Sequence, residues 1–168
     1  MNLEKFNSSK FLKTPMSSYI HRVFLNSFSK NWYYTYFVFD LHNTIIKSTY
    51  DQKDNTVEYY PYAKKAMQQI SKRDDIVKIL WSSSSDEQLE KYNKIFISDD
   101  IIFQKFNENP DINSKNGNFG SYDKKFYFNC LIDDKAGFLP NEEWYYILEL
   151  FKEYERLNIL PDKNWIKK

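Results

Sequence analysis

Acids stand at two places in this sequence where a hydrophobic run stops abruptly. Phe37, Val38 and Phe39 lead into Asp40, with His42 and Thr44 close behind; Leu131 and Ile132 lead into Asp133 and Asp134. A third apolar run, residues 76–81, ends on Ser82 and Ser83, and a lysine pair, Lys124 and Lys125, lies ahead of the last run. In an open parallel sheet, side chains just past the carboxyl ends of strands line the ligand crevice. His42 would add to that crevice an imidazole whose ordinary pKa, about 6.5, lets it donate and accept a proton near neutrality. Each position also has a plainer use. A serine run before acids is a helix cap, and an acid after a strand is a turn former. Those uses explain any one position, but poorly explain all of them in order at successive strand ends.

The chain has 168 residues, one domain by size, with 42% hydrophobic and 28% charged residues, a balance that fits a folded globular protein and argues against disorder. Aromatic residues are abundant, at 19%. Lys and Arg exceed Asp and Glu by one, so the total charge does not call for nucleic acid or an anionic membrane. The single cysteine, Cys130, has no internal disulfide partner and sits in an apolar run, which suggests a core thiol and a reducing compartment. No run approaches membrane-spanning length, and the first thirteen residues lack the apolar centre of a signal peptide. The expectation is a cytoplasmic protein with no membrane partner.

The elements that must position the acids follow from periodicity. Residues 1–15 read as an irregular arm. Ile20, Val23, Phe24 and Phe28 then recur at helical spacing, with Ser17 or Ser18 as cap and His21 beside the buried stripe as a solvated residue. Residues 34–39 are aromatic and β-branched, hence a central strand. Residues 47–60 read as a hairpin flap turning at 51–55. Pro61 opens a helix with Ala63, Ala66, Met67 and Ile70 inward. A strand at 76–81, a helix at 86–96 with Leu89, Tyr92 and Phe96 inward, and a short strand at 101–103 follow. Residues 107–120 are loop, residues 126–132 a strand, and Asn141 caps a helix reaching residue 157. Trp165 anchors the tail. Strands alternating with helices predict a three-layer α/β/α sandwich with a Rossmann-like parallel sheet, in which the separated acids can meet at one edge. The two long gaps, 44–76 and 86–124, are too short for a large cap domain.

The run Asp40-Leu41-His42-Asn43-Thr44 after a strand, a serine ending the next strand, a lysine, and Asp133-Asp134 after a later strand together resemble the haloacid dehalogenase-like phosphatases. The likeness spans residues 34–140. The chain divides on this reading into an N-terminal arm and helix, 1–30, and a haloacid dehalogenase-like phosphatase domain, 31–168. The resemblance implies that Asp40 is the nucleophile and that His42 stands where the family has an Asp acting as general acid and base. It implies that Ser82, with Ser83 as the fallback, and Lys125, with Lys124 as its rival, hold the phosphoryl oxygens. Mg²⁺ is the implied cofactor, held by Asp40, Asp133 or Asp134, and the backbone carbonyl of His42, while Thr44 supports the loop.

Phosphoryl transfer has use for these types. A carboxylate approaching a dianionic phosphate is repelled until a cation cancels charge, and Mg²⁺ prefers oxygen ligands. Asp40 would then form an aspartyl-phosphate that water breaks. The implied activity is phosphomonoester hydrolysis. The alternative is a catalytically impaired binding or interaction protein on the same fold, since His42 replaces the usual carboxylate. With no large lid the site would be open to a small phosphorylated molecule or to a macromolecular end. A nucleic acid end is compatible with the flap residues Tyr50, Tyr59, Tyr60 and Tyr62, although charge does not indicate it.

Overall fold

The computed structural model describes residues 6–48, 57–110 and 126–167. In chain order these hold α1 (Ser8–Phe11), α2 (Pro15–Ser29), β1 (Thr35–Phe39), α3 (Ala63–Ser71), β2 (Ile76–Leu80), α4 (Asp86–Ser98), β3 (Lys105–Phe106), β4 (Cys130–Ile132) and α5 (Glu143–Arg156), with 3₁₀ turns at Asp134–Ala136 and Lys163–Lys167. The four strands form one sheet in the order β3-β2-β1-β4, all neighbours parallel. The result is an α/β fold, a parallel sheet flanked by helices in a Rossmann-like sandwich, with no large cap among the described residues.

Side-chain alternation explains how the sheet is dressed. Thr35, Phe37 and Phe39 of β1 pair in register with Ile76, Lys78 and Leu80 of β2, and Phe37 and Phe39 with Cys130 and Ile132 of β4. The apolar ones among them, Phe37, Phe39, Ile76, Leu80, Cys130 and Ile132, share one core with the inward stripes of α2, α3, α4 and α5. Phe24 of α2 meets Phe37 at 5.9 Å and Phe151 of α5 at 6.0 Å, so the N-terminal helix belongs to the same core. Val38 and Ile79 point the other way and are also buried. On that side Tyr127 packs on Tyr36 at 5.6 Å and Phe126 on Trp81 at 4.2 Å.

Several element boundaries differ from expectation. The cap of α2 is Thr14, whose Oγ1 accepts the Ser17 N–H at 3.1 Å while Ser17 Oγ accepts the Thr14 N–H at 3.0 Å. Pro15 thereby takes the first helical position, where its missing N–H costs nothing. The supposed irregular arm contains α1, and Phe6 folds back to stack on His21 at 4.6 Å. His21 is thus half-buried rather than solvated, 2.6 Å from the Tyr154 hydroxyl, and burial pulls its pKa below the ordinary value. Pro61 lies in the turn before α3, which begins at Ala63 after Tyr62 adopts a left-handed φ of 65°. Residues 101–103 are not a strand. The Ile101 N–H goes back to Phe96 and that of Ile102 to Ser71 Oγ, so the ladder starts only at Gln104, whose N–H reaches the Lys78 carbonyl at 2.9 Å. β4 is shorter than residues 126–132 because Asn129 pairs with Tyr36 through its side-chain Oδ1. Asn141 does not cap α5. Instead Glu143, 4% exposed, accepts the N–H groups of Leu139 and Met16, each at 3.0 Å, and so ties α5 to the start of α2. The flap's base is paired, with Ile46 bridging Tyr59 and the Lys47 N–H reaching Glu58 at 2.8 Å. Its turn at 51–55 with Tyr50, and residues 111–120 of the predicted loop, lie outside the described residues. Trp165 meets Phe28 at 6.1 Å, anchoring the tail as expected.

Lys78 is a cation inside the helical face of the sheet, 1% exposed, donating to the Arg73 and Ile76 carbonyls at 3.0 and 2.9 Å. Burial lowers its pKa from 10.5 to about 8, against the pull of Asp75 upward. A lysine with a depressed folded pKa costs stability while both states are charged; that cost is relieved as pH rises from the folded value towards the unfolded one. Between pH 7 and 10 the wild type should therefore gain about 2–3 kcal/mol relative to Lys78→Met, read as the difference in urea-unfolding free energies. The difference between the two proteins isolates the contribution of position 78. Parallel pH curves would show that Lys78 stays charged in the folded protein.

Candidate active site

Asp40 follows β1 directly, and the ladder continues through it: its N–H donates to the Ile132 carbonyl at 3.0 Å, while the Trp81 N–H donates to the Phe39 carbonyl at 2.8 Å. The chain then winds into a tight loop. Ile45 and Ile46 both donate to the Leu41 carbonyl, the Asn43 N–H reaches Ile46 at 2.8 Å, and Asn43 takes a left-handed φ of 61°. Asn tolerates that conformation better than most residues. This winding buries Thr44 completely and aims its hydroxyl back at Asp40.

Thr44 is the keystone of the loop. Its Oγ1 donates to Asp40 Oδ2 at 2.8 Å and accepts the Asp134 N–H at 3.1 Å, joining the loop after β1 to the turn after β4. The Thr44 carbonyl accepts the indole N–H of Trp144, at 2.8 Å, from the first turn of α5. Asp133 extends from β4 and caps the 3₁₀ turn, its Oδ1 accepting the Lys135 N–H at 2.7 Å. Asp40, Asp133 and Asp134 are half-buried, and one carboxylate oxygen from each lies within 4.8 Å of the others. Burial pushes the Asp40 carboxyl above its ordinary pKa, and the charges of Asp133 and Asp134 add to this, while the hydrogen bonds from Thr44 and the Leu41 N–H oppose it. Three hard oxygen donors in mutual repulsion suit a divalent cation, which would relieve that repulsion. The Lys135 ammonium already approaches Asp134 Oδ1 at 3.3 Å from the exposed side.

The His42 ring is paired with α4. Its Nε2 lies 3.1 Å from the Tyr92 hydroxyl, the two rings meet near edge-on at 5.5 Å, and burial lowers the imidazole pKa despite the charge of Asp40. Ser82, at the carboxyl end of β2, is buried, with its backbone clasped by the Asn107 amide: Asn107 Oδ1 accepts the Ser82 N–H and Nδ2 donates to the Ser82 carbonyl, both at 2.8 Å. Its Oγ accepts the Ser84 N–H at 3.2 Å. Ser83 is exposed. Lys124 and Lys125 lie outside the described residues.

The structure therefore brings Asp40, Asp133 and Asp134 together with Thr44. The sequence reading missed Tyr92 as a partner of His42, Asn107 as the clamp on Ser82, Trp144 as the support of Thr44, and Lys135 beside the acids. Tyr92 was legible only as an inward position on its helix. Nothing local marks Asn107 or Trp144, since both act on segments far away in the chain.

No protein-family model matches the chain, and no curated protein matches it. Among solved structures, a conserved protein from Bacteroides thetaiotaomicron is similar, with a TM-score of 0.52 at 21% identity over 71% of this chain and 91% of that one. At that identity the likeness is one of fold.

Proposed function

We propose that this chain is a Mg²⁺-dependent phosphohydrolase of the haloacid dehalogenase-like kind, acting on phosphomonoesters through an aspartyl-phosphate on Asp40. The single observation that carries the reading is the convergence of Asp40 with Asp133 and Asp134 at the carboxyl ends of two adjacent parallel strands. The three carboxylates, with the His42 backbone carbonyl, would hold the ion. Bound there, Mg²⁺ would offset the repulsion between a carboxylate and a dianionic ester. The Asp40 carboxylate, fixed by the Thr44 hydrogen bond on Oδ2, attacks phosphorus as the ester P–O bond breaks, and the departing alcohol oxygen takes up a proton. Water then attacks the acyl phosphate, the aspartyl P–O bond breaks, and inorganic phosphate leaves with Asp40 restored. His42, through the ring nitrogen not facing Tyr92, exchanges the protons of both steps. Ser82 and Ser83, with Lys125 or Lys124, would receive the phosphoryl oxygens.

Phosphate release from a panel of phosphomonoesters is the direct test. It should require Mg²⁺, stop on chelation and return when the ion is restored. A second reading, a binding protein on the same fold, draws on the tie between His42 and Tyr92, which occupies one nitrogen of the imidazole standing in for a carboxylate. Mg²⁺-dependent ligand binding without release from any ester would select it. The Thr44 hydroxyl gives an independent check. Thr44→Val should lower stability by about 1–3 kcal/mol through the unpaired Asp134 N–H and weaken Mg²⁺ binding about tenfold, as measured by calorimetry. Thr44→Ser should restore most of both, and equal binding in the valine variant would remove Thr44 from the site's support.

A further inference from the structure

We infer that the phosphomonoester taken by this site carries a planar aromatic ring that packs on Trp81; this rests on the phosphohydrolase reading above. The ladder places Trp81, Asp40 and Asp133 level on three neighbouring strands, one step past the last paired residues Leu80, Phe39 and Ile132. Adjacent strands lie about 4.8 Å apart, so the indole begins one strand's width from the nucleophilic carboxylate. Alternation sends Trp81 to the same side as Ile79, away from the helical core, at the edge where the strands end in Asp40 and Asp133. Trp81 is 42% exposed, and Phe126 backs it with ring centroids 4.2 Å apart and planes at 54°. The next residue is Ser82, whose turn is fixed by Asn107.

An aromatic wall thus stands beside the phosphoryl position, supported on one side and open on the other. His42 and Tyr92, by contrast, occupy each other. A ring joined to phosphate through a few atoms can place its phosphorus at Asp40 and its π face on Trp81, gaining stacking that an aliphatic alcohol cannot supply. The substrate class is therefore an aromatic phosphomonoester, such as a nucleotide or an aryl phosphate, rather than a polyol phosphate.

The experiment compares a nucleoside 5′-monophosphate, phosphotyrosine and glycerol phosphate with the full-length protein and Mg²⁺. The aromatic esters should exceed glycerol phosphate about tenfold to a hundredfold in kcat/KM. Trp81→Ala should collapse that ratio towards one, chiefly through KM, and Trp81→Phe should keep most of it. Which aromatic ester leads separates a nucleobase from an aryl source. Equal rates on all three esters, or a ratio that Trp81→Ala leaves intact, would overturn the inference while leaving the phosphohydrolase reading in place. Should no ester be hydrolysed, that reading fails, and calorimetry of a nonhydrolysable nucleoside phosphonate against an alkyl phosphonate decides the aromatic preference separately. Equal affinities there would refute it.

Discussion

Asp40→Asn should abolish phosphate release, lowering it about 10³-fold or more, while leaving the fold intact. An amide oxygen cannot form the acyl phosphate, so what remains is only what positioning by the rest of the site supplies. Folding should not suffer, because the carboxylate is the disfavoured form in the ion-free site. Burial and the neighbouring acids raise the Asp40 pKa. A carboxyl with a raised folded pKa contributes stability below its unfolded pKa and loses it as pH rises through the folded value, so at neutral pH the charged group is a cost that asparagine removes. The Thr44 hydroxyl, which now donates to Asp40 Oδ2 at 2.8 Å, can donate to the amide oxygen instead. Thermal unfolding without Mg²⁺ should thus give an unchanged or higher Tm for the variant. Added Mg²⁺ should raise the wild-type Tm more than the variant's, since a ligand stabilises the state it binds. Retained phosphate release would dismiss Asp40 as nucleophile, and a large fall in Tm would turn the lost activity into a folding effect.

The largest loss of stability should come from Asp75, at the opposite ends of the strands. Its carboxylate takes two hydrogen bonds from Arg73, at 2.9 Å from Nε and 2.6 Å from Nη2, and the remaining guanidinium nitrogen donates to the Ile159 carbonyl at 3.1 Å. Asp75 is 1% exposed and Arg73 8%. The guanidinium lies 4.8 Å from the Phe24 ring and 5.8 Å from those of Phe151 and Tyr154, and the Arg73 carbonyl holds Lys78. Asp75→Ala would leave Arg73 as an uncompensated buried cation near a second one. Breaking such a pair costs about 3–5 kcal/mol, equivalent to a Tm lower by about 10 °C in a chain of this size. Removing both charges, as in Arg73→Leu with Asp75→Leu, should recover much of the loss, because the pair's attraction largely offsets the desolvation of its members. Urea unfolding of the wild type and the two variants decides it. If Asp75→Ala costs under about 1 kcal/mol, water reaches Arg73 and the pair behaves as a surface contact.

The parts of this molecule legible in one dimension are those set by short-range pattern. The strands after residues 34 and 75 follow from dense apolar and β-branched runs, and α4 from the serine run ahead of its acids, Ser85 being the cap in the structure. Asp40, Ser82 and Asp133 were identifiable because a strand's end is visible where its apolar run stops. Misplaced boundaries share a cause: the groups that satisfy the backbone come from elsewhere. Ser71 holds Ile102, Asn129 replaces a ladder partner of Tyr36, and Glu143 reaches Met16.

The sequence by itself determined the alternation of the central strands with the longer helices, the side chains fit for the core, and which acids and hydroxyls stand at strand ends, since each depends on neighbours within a few residues. Only the tertiary structure decided that β1 and β4 are adjacent, so that Asp40 meets Asp133 and Asp134; that Thr44 joins both loops; that Tyr92 takes His42; and that Arg73, Asp75 and Lys78 share one interior. Strand adjacency is a choice among crossovers that local pattern leaves open, and it is made by the burial of the whole apolar face at once.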